Sequence, residues 1–401
     1  MNAVIDPSNK PAKEMPGILM VMLCMQCTMG GAEKQYARVF EMLSSAQTGE
    51  HHLLINRALL ELLLPAGLLS GLTASLIILD PPFRKLALSN RFFRYRLFGF
   101  VLAALDVFWY CWQCWKIIRD LRPNVVHPLL TGVYFCLPAM LIHPHVGFML
   151  SAYSYQFESY RDKRIFGLPI GAKLKRFAMQ RSQLIDALTG SIRDDLVSRG
   201  IDPGKIRVAP GPFTDFSLCQ PVESKRSWVV FLGRFVAIKN PLLLVHAMPR
   251  VLKQLPETQF FFLGSGALQR ELETSVQSLG VSDRATIRFE PDPARILNES
   301  SIFVSLQSEE NYPSQSLLEA MACANAIVAT DVGETWRLVD ESNGTRVPLS
   351  AEAIADAIIQ LLQNPNLGQM RNASRQRVLE EFSAERYFEY ILTAYRDAAR
   401  R

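Results

Sequence analysis

One pattern constrains this chain more than any other: apolar runs of strand length recur along it with helical stretches between them. GILMVMLCM (Gly17–Met25), SLIILD (75–80), NVVHPLL (124–130), VGFMLSAY (146–153), WVVFLGR (228–234), QFFFLGSG (259–266), SIFVSLQ (301–307) and AIVATD (326–331) do not alternate polar with apolar. A strand with one wet face alternates, whereas a run apolar throughout has both faces covered. That is the condition of a parallel sheet between helix layers. After the first run, Gly30 and Gly31 make a turn, and AEKQYARVFEML then carries Tyr36, Val39, Phe40 and Leu43 at helical spacing. The opening reads strand, glycine turn, helix, and the class is α/β.

The alternation breaks once, at APGPFTDFSLCQPVESKRS (Ala209–Ser227), where a domain boundary is expected. The 401 residues, 49% hydrophobic, suffice for two domains and exclude disorder. The expected organisation is a flexible tail over 1–15, a first domain over 16–215, a second over 216–382 and a final helix over 383–401. In that helix Ser383 caps and Tyr387, Ile391 and Tyr395 form the apolar stripe. The balance of 43 basic and 38 acidic side chains, net +5, is weak for nucleic acid and does not choose between an anionic ligand and a membrane surface. Seven cysteines scattered from Cys24 to Cys323 lack the spacing of a secreted disulfide framework, and the first fifteen residues hold no apolar signal core. Both point to the cytoplasm.

Candidate chemistry gathers in the second half. WVVFLGR ends at Gly233 and Arg234, the next loop carries Lys239 and Asn240, and Pro241 opens a helix. Two cations beside a helix N-terminus make a site for a diphosphate, though the pair alone also fits ordinary solvated side chains. A second strand ends in Gly264-Ser265-Gly266, where glycine lets a ligand approach backbone N–H groups, or simply makes a turn. In SEENYPSQSLLEAMACANAIVATDVGE, Glu309 and Glu310 precede a turn at Pro313, and Glu319 lies in the following helix. Carboxylates near a helix start accept hydrogen bonds from sugar or ribose hydroxyls, and the first helical N–H groups, at Ser316 and Leu317, are available to phosphate.

GRFVAIKN, FLGSG, ENYPSQSLLEAMA with AIVATDVGE, and the early GGAE resemble the family-four retaining glycosyltransferases of GT-B fold. The resemblance implies two facing Rossmann-like domains with a nucleotide-sugar cleft between them and a last helix crossing back to the first. It implies that Arg234 and Lys239 hold the donor diphosphate, that Glu319 binds the ribose, and that no metal or other cofactor is needed. The Gly30–Gly31 turn would bring its helix toward donor phosphate or acceptor. The reaction implied moves a sugar from a nucleoside diphosphate to a hydroxyl on a glycan or glycolipid, with retention. The rivals are a sugar-nucleotide-binding relative without turnover and a sugar-nucleotide epimerase of the same fold.

This chain departs from the family in three places. The family's paired glutamates stand eight apart, but Glu310 and Glu319 are nine apart and Asn311 holds the eight-apart position. Either Glu310 or Asn311 meets the sugar. Many members carry a histidine after the strand corresponding to VGFMLSAY; here Ser151, Ala152 and Tyr153 stand there, so the role is missing or passes to Tyr153 or Ser154. Ala324 replaces a common glycine, read as a packing change.

His127 falls at a strand's C-terminal end, where doubly wound sheets collect ligands, or is a buried structural histidine. His143, His145 and His246 read as structural or surface groups. Cys24-x2-Cys27 and Cys111-x2-Cys114 have zinc-like spacing but lie too far apart in the chain to read as a metal site. Finally, Arg84, Lys85, Arg91, Arg94 and Arg96 lead into a dense aromatic stretch. The expectation is peripheral contact of 84–96 with an anionic membrane and a mainly packed helix over 97–118, because Asp106 would be costly at the centre of a span.

Overall fold

The apolar runs build two parallel sheets. The computed structural model describes residues 15–24, 31–46, 49–72, 75–82, 96–129, 131–153, 171–211, 216–309 and 312–400. They fall into two units, residues 1–210 with 387–401, and residues 211–386.

In the first unit β1 (Ile18–Met22), β2 (His51–Asn56), β3 (Leu76–Leu79), β4 (Val125–Pro128), β5 (Gly147–Ala152), β6 (Leu184–Ala187) and β7 (Ile206–Val208) pair in parallel. Their order is β3-β2-β1-β4-β5-β6-β7. In the second, β8 (Arg226–Leu232), β9 (Gln259–Leu263), β10 (Ala285–Arg288), β11 (Ser300–Ser305), β12 (Ala326–Thr330) and β13 (Gly344–Val347) lie in the order β10-β9-β8-β11-β12-β13, again parallel. Each sheet reverses its winding beside its first strand. That switch point opens a crevice outside the strand C-termini, and in the second unit it falls between β8 and β11.

Alternate residues of one strand feed two cores. Val229 and Phe231 pack with Phe260, Phe262 and Ile302 on one side of the second sheet, Val230 with Phe303 and Ile327 on the other. Each such side chain contributes about 1.5–3 kcal/mol when fully buried, which explains why runs apolar throughout become central strands.

At the C-terminus the Ser383 hydroxyl accepts the Arg386 N–H at 3.2 Å and caps the Ala384–Arg400 helix. Tyr387, Ile391 and Tyr395 are buried, against the first unit to which 387–401 belongs. Residues 1–14 lie outside the described residues. Cys24 is disulfide-bonded, against the expectation drawn from the scattered cysteines, whereas Cys111, Cys114, Cys136, Cys219 and Cys323 are thiols.

The Arg96–Leu121 helix packs as expected on one side and departs from expectation on the other. It packs on one face only, burying Leu102, Tyr110, Cys114 and Ile118, and its other face is open. Asp106 belongs to the buried face, at 3% exposure. Among the described residues no helix is long and apolar enough to cross a membrane. Residues 84–90 and the cluster of Arg91 and Arg94 lie outside the described residues.

Candidate functional site

Three loops meet at the C-terminal ends of β9, β8 and β11. The Gly233 N–H donates to the Leu263 carbonyl at 3.0 Å, Phe235 to Ser265 at 2.9 Å and Leu268 to Phe235 at 3.0 Å, lacing the loop after β8 to the loop after β9. Toward β11, the Asn240 side-chain amide donates to the Leu306 carbonyl at 3.0 Å, and the Ser308 N–H to Ile238 at 3.1 Å. The Arg234–Lys239 segment is thereby fixed on both sides of the switch point.

The glycines there have two explanations. A Cβ on Gly264 would stand 2.0 Å from the Gly233 carbonyl oxygen, and one on Gly266 would stand 2.4 Å from that of Phe235. The chain's own close approach therefore requires both glycines, where the sequence had left a ligand approach and a simple turn both open. Gly233 differs: a Cβ there meets only the Phe231 ring, at 3.9 Å.

Arg234 is exposed and Lys239 half-buried. Burial, and secondarily the Arg234 charge, push the Lys239 ammonium down to about 8. Among the described residues neither cation is held by a carboxylate. Two like charges kept together without an acid are arranged for an external anion. This has a pH signature. Below about pH 8 Lys239 is charged and diphosphate affinity should be flat; as pH rises through that value the free protein loses the proton, and Kd should rise by up to about tenfold per unit. Calorimetric titration of UDP across this window checks it, and Lys239→Arg should flatten the profile. A wild-type Kd that stays constant well above pH 8 would remove Lys239 from the site.

The Gln315–Ala322 helix presents Glu319, which is half-buried, from its second turn. Its C-terminal end is held by cations that the sequence reading passed over. Lys225 donates to the carbonyls of Leu297 (3.1 Å), Ser300 (2.7 Å) and Cys323 (2.5 Å), and Arg375 to those of Cys219 (2.9 Å) and Ala322. Positive groups there satisfy orphan carbonyls and complement the helix dipole. Burial pushes Lys225 down to about 7. Ala324 follows at φ 54°, so the family's glycine answers a left-handed backbone and not packing, and alanine there costs roughly 1 kcal/mol.

At the other end of that helix, the N–H groups of Leu317 and Leu318 both donate to the Ser314 carbonyl at 3.0 Å. Leu317 is thus engaged, and its side chain is buried. Ser316 is half-buried, its hydroxyl 3.1 Å from that of Ser314. Glu310 and Asn311 lie outside the described residues, as does Gly30, while Gly31 begins the Gly31–Ser45 helix.

In the first unit His127 is fully buried, Nδ1 2.9 Å from the Tyr395 hydroxyl and Nε2 2.9 Å from that of Ser151. Both ring nitrogens are engaged, so the structure brings His127 to the C-terminal helix and not to a ligand. The Tyr153 hydroxyl donates to Asp186 at 3.1 Å and lies 3.3 Å from that of Tyr387, which ties up the first candidate for the missing histidine's role. Ser154 lies outside the described residues. Tyr390 also donates to Asp186.

Burial raises the Asp186 carboxyl to about 6 despite these donors. A folded value above the unfolded one near 3.9 means the ionised form is disfavoured in the fold; the stability present at low pH is lost as pH rises from about 4 to about 6. Wild-type stability should therefore fall relative to that of Asp186→Asn by about 2 kcal/mol between pH 4 and neutral pH, on top of a pH-independent cost in the variant, whose amide NH2 would face a hydroxyl that donates to the carboxylate. Urea unfolding at several pH values measures it, and a difference between the two proteins that does not change with pH would contradict it. Among the described residues no three His, Cys, Asp or Glu side chains gather as a metal site.

Residues 226–364 match the family described as glycosyl transferases group 1. The alpha-maltose-1-phosphate synthase of Mycolicibacterium smegmatis is 27% identical over 307 residues, 67% of this chain and 77% of that protein. The D-inositol 3-phosphate glycosyltransferase of Segniliparus rotundus is 27% identical over 220 residues, 50% of this chain and 48% of its own length. Among solved structures, Anabaena HepE in complex with UDP and glucose superposes with a TM-score of 0.70 at 14% identity, over 94% of this chain and 99% of that one.

Proposed function

We propose that this chain is a glycosyltransferase that moves a sugar from a nucleoside-diphosphate sugar to a hydroxyl acceptor with retention, a reading supported by the match of residues 226–364 to the glycosyl transferases group 1 and by its two parallel sheets of GT-B type. The observation that carries this is the pair Arg234 and Lys239, adjacent, with no carboxylate on either among the described residues, at the switch point of the second sheet. As the glycosidic bond breaks, its electrons pass to the departing diphosphate, and fixed cations stabilise that charge most in the transition state. This reading calls for no metal. The open space over Gly233 gives the diphosphate room against the backbone. Ser316 offers its hydroxyl at the helix start, Glu319 binds ribose, and Glu310 or Asn311 meets the sugar. The Gly31 helix of the first unit serves the acceptor, a lipid-linked or envelope polysaccharide intermediate, and the protein works in the cytoplasm at the inner face of the membrane.

The test incubates purified protein with UDP- and GDP-sugars and extracted membrane lipid, following released nucleoside diphosphate and the product's anomeric proton. Acceptor-dependent release with the donor's configuration is expected. An inverted product would overturn retention. Tight donor binding without release would favour a sugar-nucleotide-binding relative without turnover, a second reading that draws on Tyr153 being tied to Asp186 and Tyr387.

The roles of the acidic segment separate by substitution. Glu319→Ala should weaken UDP itself by about tenfold, the loss of a charge-assisted hydrogen bond. Glu310→Ala and Asn311→Ala should leave UDP affinity nearly unchanged, and one of them should slow transfer. Calorimetry paired with initial rates reads both, and equal UDP losses in all three variants would show the division to be wrong.

A further inference from the structure

The Arg96–Leu121 helix and the neighbouring Gly132–Ile142 helix leave an apolar side bare. Val101 (46%), Leu105 (43%), Phe108 (72%) and Trp112 (46%) are exposed along one line of the first helix, and Leu141 (54%) and Ile142 (58%) end the second. A groove of about 490 Å³ runs between them, walled by Ala104, Phe108, Trp112, Trp115, Pro138 and Ile142. Large apolar side chains exposed together on one face mark a docking site.

Charge selects the occupant. The exposed line continues to Lys116, whose ammonium lies 5.7 Å from the Trp112 ring centre, and to Arg119, 4.8 Å from that of Trp115. Arg119 also pairs with Asp120 at 2.8 Å. The sequence entering the helix adds Arg84, Lys85, Arg91, Arg94 and Arg96 without an acid among them. A second copy docked face to face would set cation against cation. An anionic lipid leaflet accepts both features, rings at the interface and cations among headgroups.

We propose that the Phe108–Trp112–Ile142 face docks on an anionic bilayer, with Phe108 and Trp112 entering the interface and Lys116 at headgroup level. The surface deepens the membrane location proposed above. Vesicle binding is measured with neither donor nor acceptor, so its failure leaves the transfer reading standing.

In flotation of the full chain, the wild type should rise with phosphatidylglycerol-containing vesicles, and far less with pure phosphatidylcholine or in high salt. Phe108→Ser with Trp112→Ser should weaken partition roughly tenfold or more. Lys116→Glu should weaken it about fivefold or more. Brominated lipid should quench wild-type tryptophan fluorescence, which reads the same contact without a substitution. Unchanged circular dichroism and UDP affinity show that the variants fold. Absence of wild-type flotation, aromatic variants that float like wild type, equal binding to phosphatidylcholine, or a concentration-dependent dimer lost with Phe108 and Trp112 would each overturn the proposal.

Discussion

Replacing Arg234 and Lys239 together should abolish measurable binding of UDP and GDP, and each single alanine should cost about 1.5–3 kcal/mol, roughly ten- to more than a hundredfold in affinity. The two losses should not add. Part of what holds Lys239 down to about 8 is the Arg234 charge, so Arg234→Ala relieves a repulsion as it removes a contact. The pH above which affinity declines should then move upward in that variant, a shift that a merely structural arginine would not cause. Calorimetry with both nucleotides, at neutral pH and above pH 8, tests the pair. Unchanged affinity in both single variants would exclude these cations from the site.

Substitution at Gly266 should be severe for a different reason. Its missing Cβ would stand 2.4 Å from the Phe235 carbonyl oxygen, and Phe235 is itself tied by hydrogen bonds to Ser265 and Leu268. No flexible side chain can yield there, so Gly266→Val should destabilise the second unit by about 3 kcal/mol or more and lose nucleotide with it. Gly233→Ala is the informative contrast. Its Cβ meets nothing closer than 3.9 Å, so the cost to the fold is the backbone strain at φ 157° alone, well below that of Gly266→Val, while UDP affinity falls because the diphosphate loses its space. Denaturant unfolding of both variants, with calorimetry on the folded one, separates the two roles. Wild-type stability in Gly266→Val would show the loop packing to be wrong.

Much of this architecture can be read from residues, and the failures have physical causes. Each apolar run named from the sequence contains a strand, most of them because central strands bury both faces; β3, at the edge of the first sheet and partly exposed, keeps the apolar mark without that cause. The unnamed strands lack that mark. The edge strands β7, β10 and β13 are short and partly exposed; β2 opens with His51 and His52; β6 contains Asp186, whose burial depends on hydroxyls from distant tyrosines. Arg234 and Lys239 are visible because a strand end, a loop and Pro241 follow one another locally. Lys225 is not, since the carbonyls it holds come from two places 72 to 98 residues further along the chain. His127 stayed open between a ligand and a buried structural role for the same reason, its partner Tyr395 standing 268 residues away. Ala324 was misread because a left-handed φ leaves no trace in an alanine.

The central claim is a diphosphate site at the ends of β8, β9 and β11, and amide hydrogen exchange with and without UDP tests it most directly. The account expects slowed exchange at Gly233–Asn240, Gly264–Leu268 and Gln315–Glu319, with little change elsewhere in the second unit, and expects the effect to vanish in the Arg234→Ala/Lys239→Ala variant. Protection confined to the first unit, or protection that survives in that variant, would contradict it.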